Sequence, residues 1–386
     1  MRSCDVLIVG AGPAGSSCAW GLRASGLDVV VLDKSSFPRD KICGGWITPF
    51  VLQALQIDPL DYGRGRTFQP ISALRVSCLG QKEVTVDYGR PVSYGIRRRE
   101  FDEYLLRRCG AEVRENVAIK SIERNAGGWI VNGEFTARLL IGAGGHFCPV
   151  ARAVGGRMSE IPVVAQEIEF PMDSAQQASC SISAEAPELF FCRDLQGYGW
   201  CIRKGNFLNV GLGRLDQHRL SEHVSDFVQL LRSTGKIGFD LARRFAGHAY
   251  LLYGYSPRTL VDDGLMLIGD SAGLAYAQSG EGIRPAVESG LLSSGVVMEA
   301  AGDYSAARLA RYVALLQQRF GAGIGSAEKI GNRIPHALRN LAGRILLRTD
   351  WFCRTMVVEN WFLRMHDPPL PDFLPVLKPQ LSRVAI

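Results

Sequence analysis

The sequence predicts an α/β protein in which a parallel, doubly wound domain is interrupted by an antiparallel sheet and followed by C-terminal helices. Three observations carry that expectation. The stretch 4–33 holds an apolar run, a glycine turn, an apolar helical stretch and a second apolar run that ends in an acid. Two later apolar runs, 137–142 and 265–268, also lead into glycines. Between them, residues 163–212 fall into short segments of strand-like alternation divided by turn residues.

The opening unit is the most specific. Asp5-Val6-Leu7-Ile8-Val9 runs into Gly10-Ala11-Gly12-Pro13-Ala14-Gly15, and Val29-Val30-Val31-Leu32 ends at Asp33. This strand, turn, helix and strand is Rossmann-like: Gly10 allows a tight turn, Gly12 lets the backbone approach a pyrophosphate, and Gly15 lets the helix pack closely on the strand. The N–H groups and positive dipole end of the helix starting near Pro13 would face the diphosphate. Asp33 would accept from ribose hydroxyls. A ligand with a nucleotide end is expected here.

Length and composition bound the rest. A chain of 386 residues with 47% hydrophobic content can bury a large core and is expected to form two lobes. Ten cysteines without a CxxC pair favour reduced, buried thiols over disulfides or a metal site. The net charge of +6 is mild, two cofactor phosphates would offset part of it, and nucleic-acid binding is not implied. Met1-Arg2-Ser3 passes straight into the first strand and no apolar run reaches membrane-spanning length, so a cytoplasmic protein is expected.

The remaining elements follow in order. After Asp33 comes an irregular loop, 34–46, containing Lys34, Lys41, Cys43 and the pair Gly44-Gly45; it starts beside the ribose and can run along the ligand toward its other end. Segments 73–78 and 83–88 alternate around a turn and predict a hairpin, the first piece of a second sheet. Arg97-Arg98-Arg99 opens an amphipathic helix, where a nearby anion would explain cations at a helix start. The run at 137–142 leads to Gly144, Gly145, His146 and Cys148. Strands are predicted over 164–170, 179–183, 189–192, 198–203 and 207–212, with Tyr198, Trp200 and Ile202 on one face, and helices over 217–234 and 239–245. The chain then returns to the first domain with Asp270, followed by Gly280-Glu281-Gly282-Ile283 and a helix to about 301. Beyond Tyr304 arginines interleave with Trp351, Phe352, Trp361 and Phe362, a mix that fits either a packed helical cap or a peripheral contact with an anionic membrane, and the end at 368–379 is proline-rich and expected to be extended.

With these stretches in this order, the chain resembles the geranylgeranyl reductase family of FAD-dependent oxidoreductases, built on the para-hydroxybenzoate hydroxylase plan. The residues that carry the resemblance lie at 5–33, 39–46, 96–102, 138–152 and 265–284. It implies an FAD-binding domain over 1–70, 95–160 and 250–302, an inserted antiparallel-sheet substrate domain over 71–94 and 161–249, and a helical region over 303–386. It implies FAD contacts from Gly10, Gly12, Pro13, Ala14, Gly15, Asp33, Lys34, Lys41, Cys43, Gly44, Arg98, Gly144, Asp270, Gly280, Gly282 and Ile283, with Arg98 at the phosphates, Asp270 at the ribityl chain and the 282–283 N–H groups at the flavin pyrimidine edge.

Cys43 matches the family's loop cysteine near flavin and substrate, and Tyr198 and Trp200 match its Tyr-x-Trp-x-Phe-Pro pocket wall. This chain departs from the pattern with Gly144 in place of an Asp, Cys148 in place of a Ser and Arg203 in place of the proline; Ile202 stands as in flavin halogenases. The implied activity is reduction of carbon–carbon double bonds in a prenyl chain by hydride from flavin N5, with NAD(P)H or another reductant as electron donor. The substrate would be small and apolar or amphipathic. Two alternatives stand beside it: a flavin monooxygenase or halogenase acting on an aromatic or carrier-linked substrate, for which Lys41 is the candidate relay lysine, and an FAD-binding protein without turnover.

Overall fold

The computed structural model describes residues 1–155, 162–216, 218–241, 244–255, 258–321 and 336–371, with the side chains of 336 and 337 left aside. The chain forms β1 (Arg2–Val9), α1 (Pro13–Leu22), β2 (Val29–Leu32), β3 (Trp46–Ile47), α2 (Pro49–Ala54), α3 (Pro59–Tyr62), β4 (Phe68–Ile71), β5 (Ala73–Cys78), β6 (Val84–Asp87), β7 (Ser93–Ile96) and α4 (Arg98–Arg107). Next come β8 (Glu112–Arg114), β9 (Ile122–Asn125), β10 (Gly128–Val131), β11 (Phe135–Gly142), α5 (Pro149–Gly155), β12 (Val163–Pro171), α6 (Ser174–Ala178), β13 (Glu188–Phe191), β14 (Gly197–Lys204) and β15 (Phe207–Arg214). The last elements are α7 (Leu220–Ser233), β16 (Ala246–Tyr250), β17 (Val261–Asp262), β18 (Leu265–Leu267), α8 (Ile283–Ala300), α9 (Ala306–Phe320), α10 (His336–Leu346) and a π-helical segment, Phe352–Phe362.

The first sheet runs β17-β18-β11-β1-β2-β8, with β10 and β9 continuing from β11. Around β1 the pairing is parallel: Val6 lies beside Leu139 of β11 on one side and Val29 of β2 on the other. Both faces are covered, so Val6, Leu7 and Ile8 are fully buried and the strand reads as a continuous apolar run. The chain leaves β1 toward β2 on one side while β11 flanks the other, which opens a crevice at the carboxyl end of β1.

Helices α1 and α8 lie in backbone contact. A Cβ on Gly290 would stand 2.4 Å from the Ala14 carbonyl oxygen, and one on Gly21 would stand 2.1 Å from Ser294 Oγ. Because Ala14 meets Gly290 and Gly21 meets Ser294, further along both helices, the two run in the same sense and their amino ends emerge at the same edge. Helix α8 is buried without a break from Ile283 to Val297, the signature of a helix sandwiched between layers.

The second sheet has seven strands in the order β16-β12-β15-β14-β13-β5-β6. It is antiparallel as expected except where β13 runs parallel to β5, with Glu188 beside Arg75. Those two strands come from separate excursions of the chain, so no hairpin fixes their relative direction. A small third sheet, β3-β7-β4, ties the loop after β2 to the start of α4.

Two expected elements do not form. Residues 179–183 are not a strand; Cys180 makes a single bridge to Ile237. Just before them Asp173 and Gln176 close a reciprocal capping box that starts α6, and the hydroxyls of Ser179 and Ser181 donate to the carbonyls of Ala175 and Gly235, at 2.8 and 3.1 Å, in place of ladder pairing. The described residues of 239–245 are not helical, and 242–243 lie outside the description. Phe239 instead packs edge-on against Phe170 at 6.2 Å.

The C-terminal region is more than a cap on the first domain. Cys353, Val357, Val358 and Phe362 form one cluster with Leu74, Val76, Val86 and Leu189 of the second sheet. Arg284 on α8 bonds Glu288 at 2.7 Å and Asp367 at 3.1 Å, which fastens the end of that segment to the start of α8. Of the proline-rich stretch, 368–371 are described, while 372–379 lie outside the described residues. No described helix is long and apolar enough to cross a membrane.

Candidate cofactor and substrate site

A cavity of about 620 Å³ extends from the carboxyl end of β1 to the inner face of the second sheet. Every expected site residue lines it except Gly15. Gly15 works one layer back: its Cβ would stand 1.9 Å from the Gly10 carbonyl oxygen, so any side chain there would push α1 off β1. Gly10 holds φ at +112° and its Cβ would strike Ala143.

The nucleotide end is built from backbone and paired charge. No side chain caps α1 at Gly12, and a Cβ on Gly12 would meet nothing closer than the Arg39 guanidinium at 3.4 Å. Asp33 is held by N–H groups, accepting from Ala11 at 2.8 Å and Ser35 at 2.9 Å. Arg98 grips Asp102 with two bonds of 2.7 and 2.8 Å, and Arg39 reaches the same carboxylate at 3.3 Å. Asp102 is fully buried, so one hidden carboxylate aims two guanidiniums at the cavity wall. Burial opposes the charge on Arg98, but Asp102 more than offsets it and keeps the group a cation. Arg97 is not part of this set; it pairs with Glu100 and Glu169.

Midway, Lys41 Nζ stands 2.8 Å from His248 Nε2 on β16. Burial, then the charge of Arg98, brings the Lys41 ammonium down to about 8. Burial, then the Lys41 charge, holds His248 down at about 3, so the imidazole is neutral. Asp270, beside Gly282, is raised by burial and held back by Lys41. Glu281 accepts from the Arg284 N–H at 3.0 Å and so caps the first turn of α8, as a helix-start acid does, yet its Oε2 is buried without a partner among the described residues and burial raises it to about 7.

The loop at 43–45 is clamped from the second sheet. Fully buried Lys204 donates to the carbonyls of Gly44 and Ile96, both at 3.0 Å, and closes an ion pair with Glu169. Asn209 donates to the Cys43 carbonyl at 3.2 Å, and the Cys43 N–H donates to Glu167. Gly45, at φ +65°, could carry no side chain: its Cβ would stand 2.1 Å from the Ile96 carbonyl oxygen. Glu167 Oε2 is buried with no hydrogen-bond partner among the described residues, and burial raises the carboxyl to about 7 against the opposing Cys43 bond. Of the ten cysteines, all unpaired, Cys43 is the one that is not buried.

Beyond this loop the wall turns apolar. Tyr198, Trp200 and Ile202 share the inner face of β14 as expected, and Leu189, Trp46 and Phe362 complete the chamber. Trp46 stacks on Phe362 at 5.5 Å, and Phe362 meets Tyr198 edge-on at 5.4 Å. Trp200 Nε1 donates to Asn209 at 2.7 Å, which fixes the indole. Sequence reasoning missed Trp46 and Phe362 as chamber walls, along with Arg39, Glu167, Lys204, His248 and Tyr250. Trp46 adjoins the glycine pair and Arg39 lies in the same loop, so both were within reach; Phe362 is brought in by packing of the π-helical segment on the second sheet, and the others by pairing between distant strands.

The residues fit FAD. The Gly12 cradle and two aimed guanidiniums suit a diphosphate, Asp33 suits a ribose, and the start of α8 with Asp270 and the 43–45 loop suits a flat ring. Residues 8–75 match the family model for an NAD(P)-binding Rossmann-like domain. The chain is 31% identical to a menaquinone reductase of Mycobacterium tuberculosis over 358 residues, covering 85% of this chain and 83% of that protein. It is 28% identical to digeranylgeranylglycerophospholipid reductase 1 of Methanothermobacter thermautotrophicus, covering 84% of this chain and 85% of that protein. The crystal structure of a geranylgeranyl bacteriochlorophyll reductase-like protein from Thermoplasma acidophilum superposes with a TM-score of 0.72 at 21% identity, covering 98% of this chain and 99% of that one. Fold, cofactor cradle and relatives agree, and the chain belongs to the geranylgeranyl reductase family of FAD-dependent oxidoreductases.

Proposed function

We propose that this oxidoreductase saturates carbon–carbon double bonds in a prenyl-type apolar chain. The observation that carries the reading is the chamber of Tyr198, Trp200, Ile202, Leu189, Trp46 and Phe362, which opens where the 43–45 loop and the start of α8 converge. Such a wall offers contact area to a hydrocarbon and few hydrogen bonds to a polar substrate. FAD, when bound, supplies the hydride. The protein's own residues do the rest. Residues 1–70, 95–160 and 250–302 hold the cofactor, with Gly12, Asp33, Arg39 and Arg98 gripping its nucleotide half.

The aromatic wall orients the double bond and excludes water. Glu167, whose carboxyl burial raises to about 7 beneath the Cys43 backbone, holds in its acid form the proton that the second carbon needs. Lys41 is engaged with His248 in the polar half of the cavity, which favours this reading over a halogenase relay. NAD(P)H and other reductants are the electron donors to try. The deciding experiment incubates pre-reduced holoenzyme with polyprenyl substrates under anaerobic conditions. Reoxidation of the flavin with a gain of two hydrogens per double bond is the expected result. An unchanged substrate pool, with reoxidation only by oxygen, overturns it, and oxygen-dependent hydroxylation or halogenation of an aromatic substrate would replace it.

A further inference from the structure

We infer that α10 and the turn after it, Leu338 to Trp351, form an interfacial segment that seats this enzyme on the surface of an anionic lipid bilayer. Leu338, Leu341 and Ile345 are 56%, 55% and 54% exposed, and Trp351 is 64% exposed. Spaced three and four apart, the three aliphatic residues share one face of the helix. An ordinary surface helix turns that stripe toward the core; here it faces outward. The inward side is accounted for: Leu347 is buried, and a Cβ on Gly343 would stand 2.5 Å from Leu195 Cδ1, so the helix is already seated against the protein by its other face.

Charge selects the occupant. Arg339 on the helix and Arg348 in the turn after it are exposed, while Arg344 turns inward toward Cys78. From Leu338 to Trp351 the only acid is Asp350. A stripe of Leu and Ile with exposed arginines in the same segment and a Trp at its end matches the boundary between headgroups and acyl chains, where each basic side chain gains from anionic lipid. The segment is also continuous with the chamber. Leu347, Cys353, Val357, Val358 and Phe362 belong to one packed cluster, and Phe362 lines the cavity, so the docked helix and the chamber wall share a support. The inference stands on this surface alone and does not depend on which reaction the site performs.

The test floats the full-length holoenzyme with vesicles of phosphatidylcholine mixed with phosphatidylglycerol, and with vesicles of phosphatidylcholine alone. Binding to the anionic vesicles is expected, with a blue shift of tryptophan emission that Trp351→Phe removes. The double variant Leu341→Glu/Ile345→Glu, which alters exposed positions only, is expected to lose at least about tenfold in partitioning while keeping its flavin content and circular dichroism. Arg339→Gln and Arg348→Gln should each weaken binding by about fivefold at low salt. The inference is overturned if the holoenzyme ignores both vesicle types, or if the double variant floats as well as the wild type. It is equally overturned if the double variant's effect is to split a dimer that does not bind vesicles, since a second copy of the chain would then cover this face.

Discussion

At the scale of single residues, the cavity is organised by buried charges the sequence does not flag as special. Glu167 accepts from the Cys43 N–H with one oxygen and leaves the other unpartnered among the described residues, and burial raises its carboxyl from the usual range to about 7. The unfolded chain ionises near 4.5 while the folded one keeps its proton to about 7, so the stability contributed at low pH is lost as pH rises through that window. Glu167→Gln removes the loss. Thermal unfolding should show the variant gaining on the wild type by up to about 3 kcal/mol between pH 5 and pH 8. The same change should also flatten the fall of substrate reduction above neutral pH; a parallel pH profile in the two proteins would remove Glu167 as the proton store.

Lys204 is the second case. It is fully buried, pairs with Glu169 and donates to two carbonyls of the loop and β7. Lys204→Met should cost about 2–4 kcal/mol, because both carbonyls lose their donor inside the protein while Glu169 keeps only Arg97 and Asn209. Flavin content should fall with it, since Gly44 and Gly45 are no longer held; a variant with native flavin content and native melting would show the clamp to be idle.

At the scale of elements, the nucleotide-binding unit was legible because its constraints are local. Gly10, Gly12, Gly15 and Asp33 sit within one strand, one turn and one helix, and each needs its residue type for a reason visible in the chain. The same holds for Tyr198, Trp200 and Ile202, which the period of a strand places on one face. What the sequence hid depends on pairing between distant segments. The loop at 43–45 gives no sign that β12, β14 and β15 will clamp it, and Phe362 reaches the chamber only because the π-helical segment packs on the second sheet. The expected strand at 179–183 failed for a local reason that was legible, the capping box at Asp173 and Gln176.

The contact between α1 and α8 belongs here too. It relies on Gly290 and Gly21, and Gly290→Val would drive side-chain atoms into the Ala14 backbone. A loss of about 1–3 kcal/mol is expected from overpacking alone. Separation of the two amino ends should add a drop in FAD affinity, read by flavin fluorescence on titration. Unchanged affinity at reduced stability would mean the helix ends find the cofactor independently.

At the scale of the whole molecule, one cavity draws walls from both sheets, from α8 and from the C-terminal segment. The second sheet lends the 43–45 loop its support, and Arg284 fastens residues 363–367 to the start of α8. A ligand filling that cavity touches every layer, so its binding energy is shared by the whole fold. FAD at one hundred times its dissociation constant should therefore add about 2.7 kcal/mol to unfolding. Because the layers are joined through the same residues that line the site, that gain should appear as a single calorimetric transition moving upward as a unit. Two transitions, with only the higher one responding to FAD, would mean that the second sheet melts apart from the nucleotide domain and that the clamp on the 43–45 loop does not couple them. Lys204→Met gives the converse: if coupling runs through the clamp, the variant should split the transition even with FAD in excess, and the lower component should be the one that carries Tyr198 and Trp200.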